Sequence, residues 1–261
     1  MSLASTMGSP PLHVAVEGHG PPVVLVHGWA LHSGVFARVR DDLSTSHRVF
    51  SVDLPGHGRS RGSARLEADS FVDALIDRVP DQAVWLGWSL GGLLALHAAV
   101  RHRRRLAGLV MVASSPRFTR APDWPFGVEA EVFRTFAEGL DRRFVATITG
   151  FLDLETRGSA MTPAALHALR EEVLRYGAPD ADQVFAGLEL LQRHDLRDGL
   201  AALDLPSVWI AGRRDRMVRA QAMQWAAHRS NARYLELDSG HMPFLSHPEV
   251  VTEAVHELTR A

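Results

Sequence analysis

Val84-Trp85-Leu86-Gly87-Trp88-Ser89-Leu90-Gly91-Gly92 sets a Gly-x-Ser-x-Gly pattern directly behind one apolar run and directly ahead of another, residues 93–100. Three spaced residues are a weak signal by themselves, but a strand before them and a helix after them are the context of a nucleophile elbow. Gly87 and Gly91 leave room for the tight backbone that such a turn needs. The hydroxyl of Ser89 would then stand above the sheet, with its backbone at a helix N-terminus that favours negative charge.

Outward from the elbow, apolar runs of strand length alternate with amphipathic stretches. Strands are expected over residues 12–16, 23–26, 48–53, 83–86, 106–113, 207–211 and 233–237, and helices over 35–43, 71–78, 93–100 and 248–260. This order predicts an α/β fold whose central sheet is mostly parallel, with helices on both faces. The alternation stops between about 116 and 194, where the chain turns Arg-rich and helical in period, with helices expected over 129–140, 142–152, 163–176 and 184–194. An inserted helical cap (116–194) on a core built from 1–115 and 195–261 accounts for the change.

The 261 residues, 46% of them hydrophobic, suffice for one large core. A net charge of -2 gives no electrostatic case for nucleic acid or bulk membrane binding, and no stretch reaches the roughly 18 apolar residues of a membrane span. All 28 basic residues are arginine, read first as compositional bias. Without cysteine there is no disulfide, zinc-thiolate or cysteine nucleophile, and a cytoplasmic home is expected. Residues 1–11 lack the basic and apolar regions of a leader and read as a loose lead-in or an alternative start at Met7.

A serine needs a base, and the base an orienting acid. His241 follows the last expected strand through the short loop Asp238-Ser239-Gly240, which can lay its ring over the C-terminal edge of the sheet. His228, His247 and His256 fall in or near helices. The favoured acid is Asp215, just beyond the strand at 207–211, with Asp238 as the alternative; after the strand at 106–113, Ser114-Ser115-Pro116 supplies no carboxylate. The oxyanion formed on attack needs preorganised donors, expected from the backbone N–H groups of Leu90 and Trp29. The Trp29 side chain could also wall the acyl pocket, Trp88 reads as pocket wall or core filler, and His27 as structural.

The elbow, His27-Gly28-Trp29 and Val52-Asp53-Leu54-Pro55-Gly56-His57-Gly58-Arg59-Ser60 together resemble the α/β-hydrolase superfamily. Trp85-Leu86-Gly87-Trp88-Ser89-Leu90-Gly91-Gly92, Val112-Ala113-Ser114-Ser115-Pro116, Asp123-Trp124-Pro125, Gly187-Leu188-Glu189-Leu190-Leu191 and Ser246-His247-Pro248 are similar to one esterase family within it, the pimeloyl-acyl-carrier-protein methyl ester esterases of biotin synthesis. The resemblance implies a monomeric serine carboxylesterase with a Ser89, Asp215, His241 triad, no metal or cofactor, and a carrier-protein-linked ester as substrate. It also implies acyl contacts from Phe151, Leu152, Asp153, Leu154 and Glu155, although the two acidic members are unusual beside an apolar chain. The family's cap arginines that face the carrier are absent from 147–150; Arg142, Arg143, Arg157, Arg170 and Arg175 are the candidates to replace them. A general small-ester or carbon–carbon bond hydrolase, or a non-catalytic ligand-binding protein, could share the same framework.

Overall fold

A parallel sheet covered on both faces needs strands that are apolar at every position, and β2 (Pro22–Val26), β4 (Ala83–Trp88) and β5 (Leu106–Val112) read that way. In a computed structural model, which describes residues 12–62, 64–156 and 163–260, they join β1 (Val14–Glu17), β3 (Arg48–Val52), β6 (Ser207–Gly212) and β7 (Arg233–Leu237) in one sheet. The order is β1-β3-β2-β4-β5-β6-β7. All neighbours are parallel except β1 and β3. The link from β1 to β2 passes hard against the chain entering β3: a Cβ on Gly18 would stand 2.3 Å from the His47 carbonyl oxygen, and one on Gly20 2.3 Å from that of Ser46. Only glycine fits there, and both residues have positive φ.

Successive strand residues point to opposite faces, which divides the core in two. On one face Val23, Leu25, Val84, Leu86, Val110 and Ile210 pack with α1 (Ala37–Leu43) and α9 (Pro248–Arg260). On the other, Val24, Trp85, Leu109, Met111 and Trp209 pack with α2 (Ala68–Ile76), α3 (Leu90–Arg101) and α7 (Ala220–Arg229). Helix α7 carries His228, which the sequence places in or near a helix without giving that helix a range.

Between β5 and β6 the chain forms α4 (Ala130–Thr156), α5 (Pro163–Leu174) and α6 (Ala181–Arg193). The two helices expected over 129–140 and 142–152 are the arms of α4, which breaks at Arg143 (φ -148, ψ 58). A Cβ on Gly139 would stand 2.8 Å from Thr147 Oγ1. A straight helix would hold positions eight apart at about 12 Å, so the arms fold back on one another.

Leu86 is fully buried in β4, and Val145 is 61% exposed on α4. Leu86→Ala is expected to cost about 3 kcal/mol in urea unfolding, and Val145→Ala less than about 0.5 kcal/mol.

Candidate active site

Strand β4 ends at Trp88 and α3 begins at Leu90, so the whole reversal falls on Ser89, whose backbone is at φ 53, ψ -117. A non-glycine residue there costs on the order of 1–3 kcal/mol and persists only where its surroundings hold it. They do: Ser89 N–H donates to Val112 O at 3.1 Å, and Ser114 Oγ donates to Ser89 O at 2.7 Å. The flanking glycines are required by contact. A Cβ on Gly87 would meet the Gly91 carbonyl oxygen at 2.5 Å, and one on Gly91 would meet that of Val26 at 2.1 Å.

The loops after β6 and β7 touch through Gly212, where a Cβ would lie 2.0 Å from the Gly240 carbonyl oxygen. That contact brings Asp215 and His241 together: His241 Nδ1 is 2.7 Å from Asp215 Oδ2, with the two side chains 2% and 0% exposed. The other carboxylate oxygen, Oδ1, accepts the backbone N–H groups of Met217 and Val218 at 2.7 and 2.9 Å. Asp238 instead lies on the surface, paired with Arg213 and Arg214, and the Arg213 hydrogen bond holds its pKa below the ordinary value. Trp88 Nε1 donates to His241 O at 2.8 Å, so this indole ties the elbow to the histidine loop. His228 and His256 sit in α7 and α9, and His247 lies between α9 and the short helix α8 (Pro243–Ser246).

Trp29 follows β2 and precedes Ala30, a second non-glycine residue at positive φ (63°). Its loop is pinned by His27, which donates from Nδ1 to Gly28 O at 2.8 Å and accepts the Leu54 N–H at Nε2, 2.9 Å away. That bonding requires a neutral ring. Burial, aided by the neighbouring His57, pushes the His27 pKa down to about 3. Asp53, also fully buried, accepts from Ser33 N and Oγ at 2.9 and 2.6 Å and from Arg59 N at 2.9 Å. These bonds hold the 54–60 loop against the Trp29 loop.

Ser89 and Trp29 line a cavity whose free volume is only about 20 Å³; Phe133 and Phe136 of α4, Leu188 and Leu191 of α6, and Met217 complete much of its wall. Leu90 is wholly buried beside it, with its side chain 3.1 Å from where a Cβ on Gly187 of α6 would lie. As the first residue of α3, Leu90 carries an N–H with no acceptor inside the helix. Of the expected acyl-contact residues, Asp153 pairs with Arg170 of α5 and is not among the residues lining this cavity. The side chains of Phe151, Leu152, Leu154 and Glu155, and Arg157 with them, lie outside the described residues. Arg175 pairs with Glu172, and Arg143 lines a separate cavity of about 430 Å³ between the arms of α4.

A family model described as "alpha/beta hydrolase fold" matches residues 21–248. The chain belongs to the alpha/beta hydrolase fold family. The hydrolase is 47% identical over 252 residues, 96% of its own length and 99% of the relative's, to the pimeloyl-[acyl-carrier protein] methyl ester esterase of Xanthomonas campestris pv. campestris. A protein of the same name from Xylella fastidiosa is 43% identical over 94% of this chain and 97% of its own. Among solved structures, an esterase from Exiguobacterium antarcticum superposes with a TM-score of 0.87 at 20% identity, covering 96% of each chain. A thermophilic esterase from Thermogutta terrifontis gives 0.79 at 26%, covering 95% and 93%.

Sequence reasoning did not single out the cavity walls on α4. Val132 and Phe136 lie four apart on one helix face, the spacing that could have flagged them, but the same spacing marks any buried helix. No helix among the described residues is long and apolar enough to cross a membrane.

His57 donates from Nδ1 to Pro55 O, and burial takes its pKa down to about 4. The unfolded hydrolase protonates His27 and His57 near 6.5, whereas the folded one does not. Unfolding therefore takes up protons, and stability that is complete above about pH 7 is lost as pH falls through 6.5. At about pH 5 the loss is about 2 kcal/mol for each ring. Urea midpoints at about pH 7.5 and pH 5 should show it, and His57→Asn should remove about half of the pH-linked loss.

Proposed function

We propose that the protein is a serine carboxylesterase that hydrolyses the methyl ester of pimeloyl-acyl-carrier protein, releasing pimeloyl-acyl-carrier protein and methanol in biotin synthesis. The observation that carries this reading is identity of 47% over nearly the whole of both chains with an esterase of that name. The buried His241–Asp215 pair behind the elbow serine supports it with chemistry.

In this mechanism Asp215 holds the proton on His241 Nδ1, which leaves Nε2 as the base. Ser89 Oγ attacks the ester carbonyl and gives its proton to Nε2. The resulting oxyanion accepts hydrogen bonds from the backbone N–H groups of Leu90 and Trp29. Collapse of the tetrahedral intermediate breaks the bond to the methoxy oxygen, which leaves as methanol with the proton from His241. Water, deprotonated by the same ring, then attacks the acyl-enzyme, frees the carboxylate and restores Ser89. No step calls for a metal or cofactor.

Residues 116–194 serve as a lid in this reading. A free volume of about 20 Å³ holds little more than one water, so an acyl chain enters only when Phe133 and Phe136 of α4 give way.

Turnover of pimeloyl-acyl-carrier-protein methyl ester and of a short p-nitrophenyl ester tests the assignment. Ser89→Ala is expected to lower kcat on both by roughly 10⁴-fold or more, and Asp215→Asn by roughly 10³–10⁴-fold. Asp238→Asn should stay within about twofold, since it is an exposed ion-pair residue. Full activity in Ser89→Ala would overturn the mechanism. Turnover of the small ester alone would leave a general carboxylesterase.

A further inference from the structure

The loop that carries Asp215 is unusually rich in arginine: Arg213, Arg214, Arg216 and Arg219. Arg213 and Arg214 are accounted for by Asp238. Arg216 and Arg219 are not; neither makes an ion pair among the described residues. Both line a pocket of about 160 Å³, opposite Arg120 and Glu129. Glu129 is engaged by Arg120, so three arginines border the pocket against one carboxylate that is already paired.

This pocket is not remote from the chemistry. Val128 and Met217 line it and also line the cavity at Ser89, so the two spaces adjoin and share part of their lining. The backbone of the arginine loop is held in place by the same bonds that hold the acid, from Met217 N and Val218 N to Asp215 Oδ1. The charges are therefore carried on a backbone that needs little reorganisation to meet an anion. Guanidinium groups suit carboxylate and phosphate oxygens in particular, because their fork can donate two parallel hydrogen bonds.

We propose that Arg216 and Arg219, with Arg120 facing them, form a seat for an anionic group, a carboxylate or a phosphate, carried by the part of the ester substrate that does not react. The inference rests on the ester-hydrolase reading. With the ester carbonyl at Ser89, a chain running past Val128 and Met217 delivers that part to the arginines. The seat thus selects esters that carry a negative charge there over neutral esters of the same length.

The test compares kcat/KM for monomethyl pimelate, which bears a free carboxylate, with that for neutral dimethyl pimelate. Pimeloyl-acyl-carrier-protein methyl ester forms a third arm. The anionic-to-neutral ratio in the wild type should fall by about 5- to 10-fold in the Arg216→Gln, Arg219→Gln double variant, mainly through KM, while Arg219→Lys keeps most of it. Raising NaCl to about 0.5 M should lower the wild-type ratio in the same direction. Loss on the free half-ester assigns the seat to a carboxylate. Loss confined to the carrier-linked ester assigns it to the phosphate of the carrier arm. A ratio unmoved by the double variant and by salt, with no effect on the carrier-linked ester, overturns the proposal.

Binding gives a readout that does not depend on turnover. Calorimetry with pimelate and with inorganic phosphate on Ser89→Ala protein should show affinity for at least one of them, weakened about tenfold when both arginines are also replaced. No binding of either overturns the seat even if esters are hydrolysed. Binding without hydrolysis of any ester by the wild type would instead overturn the ester-hydrolase reading.

Discussion

The close approach of the α3 N-terminus to the end of β2 is the constraint on which the rest of the site depends. Gly91 lies so near the Val26 and His27 carbonyls that a Cβ would stand 2.1 and 2.4 Å from their oxygens. With the helix seated that deeply, Ser89 has no room for an ordinary turn and takes positive φ. The same seating sets Leu90 beside Trp29, each close to Gly187 of α6. The position of Ser89, the placement of Leu90 beside Trp29 and the backbone strain are thus three results of one packing contact, and the hydrogen bonds from Ser89 N and Ser114 Oγ keep it from relaxing.

Asp215 and His241 are brought together at the same C-terminal edge of the sheet, again by a glycine contact. Gly212 lets the loops after β6 and β7 touch, and Asp215 divides its two oxygens between His241 and its own turn. One oxygen orients the ring while the other keeps the carboxylate from swinging away. The buried His27 and Asp53 do comparable work for the Trp29 loop. His27 is satisfied by backbone groups, and Asp53 by two backbone N–H groups and the Ser33 hydroxyl, as burial of polar side chains demands.

The helical insertion is anchored unevenly. Trp29 Nε1 donates to Val184 O of α6 at 2.7 Å, and Arg61 reaches from the core to Tyr176 O, Ala178 O and Asp180. His32 donates to Glu172 O of α5 at 2.8 Å. At the other root, Arg117 and Arg197 share Asp195, and Arg197 lies over the Trp124 ring. The arms of α4 instead meet the site through apolar side chains such as Phe133 and Phe136, and such contacts can slide without leaving a polar group unpaired. The insertion is thus bonded through polar groups at its roots and through apolar side chains over Ser89.

The sequence by itself determined the order and type of the strands, the elbow, and the place where regular alternation gives way to helices. Those features rest on local periodicity and on glycines that short-range sterics require. It named His241 and favoured Asp215, with Asp238 as the alternative, because distance along the chain does not by itself say which carboxylate a folded loop turns inward. Tertiary structure decided that: Arg213 and Arg214 draw Asp238 to the surface, while Gly212 brings Asp215 under the ring. It also decided that Trp88 ties down the histidine loop, that α4 folds back at Arg143, and that Arg216 and Arg219 border a pocket sharing Val128 and Met217 with the cavity at Ser89. Each of these depends on contacts between residues far apart in the chain, which periodicity and composition do not encode.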